Sequence, residues 1–210
     1  MLVSLVAGAG ASAQSPDWAA LLRDHGRLPK RERLVVLDAS GRELARVDGT
    51  ERAVPVPANI AEMLATRALG ATLLHNHPEM TSFSGADLDL LAQVGVRRVI
   101  AVTADGTTFE ATAGPHFGDG WAAAMRQDLP ARLASRVQTE AWRRGLPPEV
   151  LVPHEPHVAA LILGRLGVIT YRVSPSLTAR LAFDRYREVF ARLIDVETAA
   201  AVAAPQASGR

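Results

Sequence analysis

The chain contains no cysteine, and this absence excludes disulfide bonds, a cysteine nucleophile and cysteine-ligated zinc. No apolar run reaches the roughly 20 residues that a membrane-spanning helix needs, so we expect no membrane partner. The apolar patch at residues 1–13 ends in small residues but lacks the basic start of a secretory signal. We therefore expect a cytoplasmic protein, with secretion as the alternative.

The sequence also lacks a large excess of charge of either sign. The net charge is +1, and Lys30 is the single lysine among 23 basic residues. Residues 1–120 carry 11 basic and 14 acidic side chains, whereas residues 121–210 carry 12 and 8. This asymmetry is too small to indicate nucleic-acid binding by itself.

The apolar periodicity predicts an α/β fold in which helices flank a mixed central sheet. The first part of the chain alternates short apolar runs with helical segments. Its predicted strands cover residues 34–37, 43–47, 71–74, 99–103 and 107–112. Its predicted helices begin near Asp17, Asn59 and Ser84.

From residue 121 the pattern becomes mainly helical. It predicts a helix over 121–144 with a break near Pro130, linkers at 145–148 and 153–156, a helix over 157–166, a strand over 168–173 and a helix over 176–202. We assign one domain to residues 17–120, a mainly helical extension to 121–202, and flexible ends to 1–16 and 203–210.

The most informative stretch is LLHNHPEMTSFSGADL, residues 73–88. In a strand, residues two apart point to the same face, so His75 and His77 aim their imidazoles together and Asn76 turns away. Pro78 cannot donate a backbone hydrogen bond and ends the strand.

Ser84 then stands at the N-cap of the next predicted helix, with Asp87 in the first turn. The end of the strand and the start of the helix can meet at one point. Two neutral imidazoles and one carboxylate form the ligand set of a catalytic zinc, with a fourth position left for water. The alternative is that Ser84 and Asp87 form only an ordinary capping box.

The pattern H-x-H-P, a short loop and S-x-x-D resembles the signature of the JAMM (JAB or MPN) zinc metallo-hydrolases. The form His75-Asn76-His77-Pro78 is closest to the bacterial branch of RadC-like and phage- or toxin-associated proteins. The resemblance covers residues 31–112 and implies a JAB/MPN-like fold, a cytidine-deaminase-like sandwich. Six residues separate His77 from Ser84, where the commonest family pattern has seven.

The resemblance also implies a role for each site residue. His75, His77 and Asp87 would hold Zn²⁺, and the Ser84 hydroxyl would stabilise the oxyanion. The family's general base is a glutamate at the start of an upstream apolar strand, which is the position of Glu32. Glu43 is the second candidate for the base, and the alternative for Glu32 is a solvated side chain in a basic cluster.

The implied activity is that of a zinc metalloprotease or isopeptidase. Its substrate would be a protein or peptide, such as a ubiquitin-like conjugate or a protein precursor. The rival interpretation is an inactive JAB-like binding module or a RadC-like nucleic-acid-associated protein, whose arginine-rich residues 126–192 would bind the partner. His154 and His157 are interpreted as linker residues, with a second metal site as the alternative.

Overall fold

The computed structural model describes residues 31–50, 53–78 and 81–203. Six strands form one sheet in the order β2-β1-β3-β4-β5-β6. They are β1 (Arg33–Leu37), β2 (Glu43–Asp48), β3 (Ala71–His77), β4 (Val96–Thr103), β5 (Thr108–Ala113) and β6 (Ile169–Ser174). The β3–β4 pair is parallel and the other neighbours are antiparallel, which confirms the predicted α/β class with a mixed sheet.

Six α-helices accompany the sheet within the described residues. They are α1 (Ala58–Thr66), α2 (Gly85–Asp89), α3 (Gly120–Arg143), α4 (Glu155–Arg165), α5 (Leu177–Arg185) and α6 (Arg187–Ala203). None of the helices in this part of the chain is long and apolar enough to cross a membrane. The predicted helix at Asp17 and the predicted flexible ends lie outside the described residues, apart from Ala203, which ends α6.

The central strands are buried on both faces, as expected for the middle of a covered sheet. Leu34, Val36, Leu73 and their neighbours on one face join the main core with the helices. The alternate residues form a second cluster on the opposite face: Val35, Leu37, Leu74, Ile100 and Val102. Because β3 alternates with a period of two, His75 and His77 lie on the same face as Leu73.

The predicted break near Pro130 is wrong. α3 runs without interruption from Gly120 to Arg143 with Pro130 inside it. A proline removes one hydrogen bond and normally destabilises a helix interior. Here Leu129 and Leu133 on either side are fully buried, so tertiary packing maintains the helix.

The single helix predicted over 176–202 is two helices. α5 ends at Arg185, and Tyr186 leaves the helical conformation with φ −106° and ψ 15° before α6 begins. Tyr186 and Phe190 are both buried across the break. The aromatic residues therefore do lie on helices, as their spacing predicts, but on two consecutive helices and not on a single one.

Two further local predictions also differ from the structure. Asn59 is not the cap of α1, because Pro57 occupies that position and no side chain caps the helix, which ends at Thr66. The linker predicted at 153–156 is wrong, because residues 153 and 154 belong to the 3₁₀ turn Val152–His154 and residues 155 and 156 begin α4. The linker predicted at 145–148 does connect α3 to the 3₁₀ turn Pro148–Val150, and Leu151 after that turn is buried.

The segment after residue 120 shares the sheet of the first part of the chain. β6 pairs with β5 from Thr108↔Ser174 to Ala113↔Ile169. Apolar side chains of α3, α4 and α6 also belong to the same core cluster as β1 and β3. The helices of the extension therefore help to fix the strands that carry the candidate site.

Candidate metal centre

β3 and α2 bring His75, His77 and Asp87 together. β3 is longer than predicted and stays paired with β4 as far as His77↔Thr103, so both histidines sit on a rigid strand. One ligand atom from each of the three side chains lies within 4.8 Å of the other two. Within the described ranges, this is the one group of three or more His, Cys, Asp or Glu residues that could hold a metal ion.

The separations between the ligand atoms fit a small metal ion. The Nε2 atoms of His75 and His77 are 2.9 Å apart. Asp87 Oδ1 is 3.2 Å from His75 Nε2, and Asp87 Oδ2 is 3.6 Å from His77 Nε2. Two ligands on one tetrahedral zinc are about 3.3 Å apart, a value that these three distances bracket.

The His77 ring is fixed in the tautomer that a metal ligand needs. Its Nδ1–H donates to the backbone carbonyl of Thr81, at 3.0 Å. When the ring is neutral, Nε2 therefore keeps its lone pair for a metal, as in most metal-binding histidines. Thr81 acts through its main chain, for which the sequence contains no signal.

The ring of His75 is held differently. Its Nδ1 is buried and finds no hydrogen-bond partner among the described residues. Its ring instead packs 6.4 Å from that of Phe83, centroid to centroid. The orientation of His75 therefore depends on packing and on its strand position, whereas that of His77 depends on a hydrogen bond.

The electrostatics of the group favour a charged carboxylate. Burial alone would raise the pKa of Asp87, but its hydrogen bonds and charge interactions with His75 and His77 hold that pKa far below the usual range. Burial alone would lower the pKa of His77. The Asp87 carboxylate, the Thr81 carbonyl and the charge of Glu32 together hold it above the ordinary value.

The capping box at the start of α2 is present, and it coexists with the metal-ligand group. Ser84 Oγ accepts from the backbone N–H of Asp87 at 3.2 Å, and Asp87 Oδ2 accepts from the backbone N–H of Ser84 at 2.7 Å. Ser84 Oγ also donates to Asp87 Oδ2, at 2.6 Å. The single hydroxyl proton of Ser84 is therefore directed to Asp87 in this arrangement.

Glu32 lies beside this group, in a cavity of ≈650 Å³ that His77, Ser84 and Asp87 also line. It immediately precedes β1, and its backbone N–H donates to the Thr50 carbonyl. The other candidate base, Glu43, pairs with Arg46 on the β2 edge and is not among the described lining residues. The arrangement favours Glu32 over Glu43.

The Asn76 side chain hydrogen-bonds the backbone on both sides of Glu32. Its Oδ1 accepts from the Arg33 N–H at 2.7 Å, and its Nδ2 donates to the Arg31 carbonyl at 2.9 Å. The sequence predicts correctly that Asn76 turns away from the histidine face, but not that it ties β3 to the chain entering β1. This link requires knowing that β1 and β3 are neighbours.

A hydrogen-bonded chain also connects the extension to the loop before Ser84. Ser82 Oγ is 2.8 Å from the Tyr171 hydroxyl on β6, which is 2.9 Å from Nδ1 of His157 on α4. Burial raises the pKa of Tyr171, so the phenol keeps its proton. The sequence offers no signal for this chain, because its ends are far apart along the chain.

His154 and His157 are not linker residues. His157 is buried in α4 and stacks on Phe183 with ring centroids 4.2 Å apart. His154 packs against Phe183, Tyr186 and Phe190. Burial, and then the nearby His154, lower the pKa of His157 to about 4. Both histidines therefore belong to an aromatic core region between α4, α5 and α6.

No protein-family model matches the chain, and no match is found among curated proteins or solved structures. A functional assignment therefore depends on the residues of the candidate metal centre and on their pattern in the sequence.

Proposed function

We propose that the protein is a JAMM-type zinc hydrolase with a JAB/MPN-like fold, acting on peptide or isopeptide bonds. The observation that carries this proposal is that His77, Asp87, Ser84 and Glu32 all face one cavity, with His75 completing the ligand group. Metal-assisted hydrolysis requires a metal-ligand set, a carboxylate outside that set to move protons, and a donor such as a hydroxyl for the oxyanion.

The donor set fits zinc. Two imidazole nitrogens and one carboxylate, with no thiolate, form a three-ligand set of the kind found in catalytic zinc sites. The loop of six residues before Ser84 still leaves Asp87 Oδ1 3.2 Å from His75 Nε2. Zinc held by these residues would lower the pKa of a coordinated water and polarise a substrate carbonyl.

The remaining roles fall to side chains of this protein. Glu32 accepts a proton from the attacking water and returns it to the leaving amine. Ser84 donates to the oxyanion that develops on the substrate carbonyl, for which its hydroxyl must turn away from Asp87 Oδ2. Asn76 holds the backbone around Glu32 and so keeps the base beside His77.

The substrate we propose is a protein or peptide, such as a ubiquitin-like conjugate or a protein precursor, cleaved in the cytoplasm. The cavity volume of ≈650 Å³ lies in the range of ordinary ligand pockets. Val54, Val56 and Leu90 give it an apolar wall that would contact side chains next to the scissile bond.

The first experiment measures the metal content of the purified protein by elemental mass spectrometry, with His77→Ala as the control. The proposal expects about one zinc per chain in the wild type and none in the variant. Absence of zinc from both proteins, even after zinc is supplied, would contradict the proposal and favour a JAB-like binding module.

The second experiment separates the base from the metal ligands. Glu32→Gln should keep its zinc and lose activity against a panel of peptide and isopeptide substrates by about 100-fold or more. Glu62→Gln, which alters an exposed glutamate on α1, is the matched control and should behave as the wild type. Full activity of Glu32→Gln with zinc bound would remove Glu32 from the mechanism.

A further inference from the structure

An arginine-rich cleft lies between α3 and α6, and it shares no lining residue with the metal-centre cavity. Its volume is ≈450 Å³, which lies within the range of ordinary ligand pockets. Arg132, Arg136 and Arg143 line it from α3, and Arg192 lines it from α6. We call this feature the arginine cleft.

The arginines face the cleft because they share one helix face. Arg132, Arg136 and Arg143 follow one another at spacings of four and seven residues, which places them on one side of α3. At 1.5 Å per residue, the row from Arg132 to Arg143 extends about 16 Å along the helix axis. One small anion cannot contact both ends of a row of this length.

Two buried carboxylates, Glu197 and Glu140, pair with arginines at or beside the cleft. Glu197 on α6 is fully buried and forms ion pairs, rather than well-aligned hydrogen bonds, with Arg132 and Arg136. Glu140 is also buried, and Arg144 donates to it at 3.0 Å. A buried carboxylate needs such a partner, so these pairs account for some of the arginines in structural terms.

The structural pairs leave an excess of positive charge at the cleft. Arg143 and Arg192 approach Glu140 only at 3.9 and 3.8 Å, while Arg144 already donates to that carboxylate. Their side chains are each 56% exposed. Four guanidinium groups therefore line the cleft, whereas among the described residues only two glutamates compensate them: Glu140 in the lining and Glu197, which pairs with Arg132 and Arg136.

We propose that the arginine cleft binds a ligand with two or more phosphoryl groups, of about the size of a nucleotide. The guanidinium group presents a planar fork of donors that matches phosphate oxygens in bidentate pairs. Several phosphoryl groups in a row match the length of the arginine row better than one anion does. Leu193 and Val196 add an apolar wall on α6 for the uncharged part of the ligand.

The test measures binding of three probes to the full chain by isothermal titration calorimetry at low salt. The probes are ATP, inorganic pyrophosphate and an eight-nucleotide single-stranded DNA, with a decameric polyglutamate as the carboxylate comparison. We expect the phosphoryl probes to bind. Their affinity should fall when the salt concentration rises from 50 to 200 mM, because salt screens ionic contacts. ATP binding would support the proposal, whereas DNA binding without ATP binding would overturn it, because an eight-nucleotide strand is much larger than a single nucleotide.

The decisive variant is the double substitution Arg143→Gln with Arg192→Gln. Both side chains are exposed and make only long ion pairs, so the fold should persist, as circular dichroism and zinc content would confirm. We expect its affinity for the phosphoryl probe to fall at least ten-fold. Arg180→Gln, an exposed arginine on α5 outside the cleft, is the matched control and should leave affinity unchanged.

His77→Ala distinguishes this cleft from the metal centre, because phosphates also coordinate metal ions. The proposal expects His77→Ala to bind ATP as the wild type does. The proposal would be overturned if no phosphoryl probe bound at low salt, if polyglutamate bound as tightly as ATP, or if the double variant retained wild-type affinity. Loss of ATP binding in His77→Ala alone would move the binding to the metal centre and would also overturn it.

Discussion

Asp87 combines a helix cap with a place in the candidate metal-ligand group, two roles that the sequence presents as alternatives. Its Oδ2 completes the capping box with Ser84, while its Oδ1 faces His75 at 3.2 Å. The capping box fixes the carboxylate at the start of α2, and the histidines lower its pKa. The local helix signal and the metal-ligand geometry therefore reinforce each other at one side chain.

Substitution at Asp87 and Ser84 should separate these two functions. Asp87→Asn keeps a carbonyl oxygen for the cap but removes the charge, so zinc affinity should fall by more than about 100-fold, beyond the usual loss for outer-sphere changes. Ser84→Ala should keep zinc, lose about 1 kcal/mol of unfolding free energy as a lost cap does, and lower activity about 100-fold. Zinc titration against a chelator, urea unfolding, and the rate of hydrolysis of the peptide and isopeptide panel measure these three effects. Wild-type zinc affinity in Asp87→Asn would mean that Asp87 is only a cap.

His157 predicts a pH dependence of stability. Its pKa is about 4 in the fold, against 6.5 for an ordinary histidine, so the unfolded state binds a proton between these values while the folded state does not. The free energy of unfolding therefore contains a contribution from neutral, buried His157 that is fully present above about pH 6.5. This contribution is lost as the pH falls toward 4. A shift of this size corresponds to about 3 kcal/mol as an upper estimate.

The measurement is the free energy of urea unfolding from pH 7 to pH 4 for the wild type and for His157→Gln. The glutamine can still hydrogen-bond the Tyr171 hydroxyl, and it does not titrate. The wild type should lose more stability over this range than the variant, by up to about 3 kcal/mol. Parallel curves for the two proteins would show that protonation of His157 does not oppose folding.

At the scale of elements, the link between β1 and β3 positions the candidate base. β1 pairs with β3 from Leu34↔His75 to Leu37↔Thr72. The ladder ends at the Leu34↔His75 pair, and the side chain of the next residue, Asn76, continues the connection to the chain around Glu32. Strand pairing therefore positions the candidate ligands His75 and His77, and the Asn76 amide positions the backbone around the candidate base Glu32.

Asn76→Ala should release this connection without removing a metal ligand. It leaves the Arg33 N–H and the Arg31 carbonyl without their side-chain partner, so unfolding free energy should fall by about 1–2 kcal/mol. Hydrolytic activity should fall at least ten-fold because small displacements of a catalytic group are costly. Zinc content should stay at the wild-type value. Asn59→Ala, an exposed asparagine on α1, is the control, and unchanged activity in Asn76→Ala would contradict a positioning role.

The elements that sequence predicts well are those whose signals are local. The alternation through His75 and His77, the proline that follows, and the cap at Ser84 each act within a few residues. They place the end of β3 before Pro78 and the start of α2 correctly. The ligand group follows from these two elements, because the end of one lies beside the start of the other.

The elements that sequence predicts poorly depend on distant packing. Pro130 marks a break by local chemistry, yet the buried residues around it keep α3 continuous. The contact of Ser82 with Tyr171 joins residues 89 positions apart, which no local pattern indicates. The bond from His77 to the Thr81 carbonyl uses the main chain and so carries no residue preference.

At the scale of the whole molecule, the extension completes the sheet. β6 covers the edge that β5 would otherwise expose, and Tyr171 on β6 reaches the loop before Ser84. The buried side chains Ala122, Leu129 and Leu133 on α3 join the core that β1, β3 and β4 build. The candidate metal centre therefore depends on residues on both sides of position 120.

This arrangement predicts the result of truncation. A chain that ends after Gly120 loses β6 and the four helices α3 to α6. It exposes an apolar sheet face and the unpaired edge of β5, which favours aggregation. We expect this fragment to lack a cooperative thermal transition, dispersed amide NMR signals and bound zinc. A chain that ends after Ala203 keeps every described element after residue 120 and is the matched control; its Tm should lie within a few degrees of the full chain. A fragment ending at Gly120 that folds cooperatively and binds one zinc would show instead that the metal centre belongs to an independent domain, and that the helices after it are an addition.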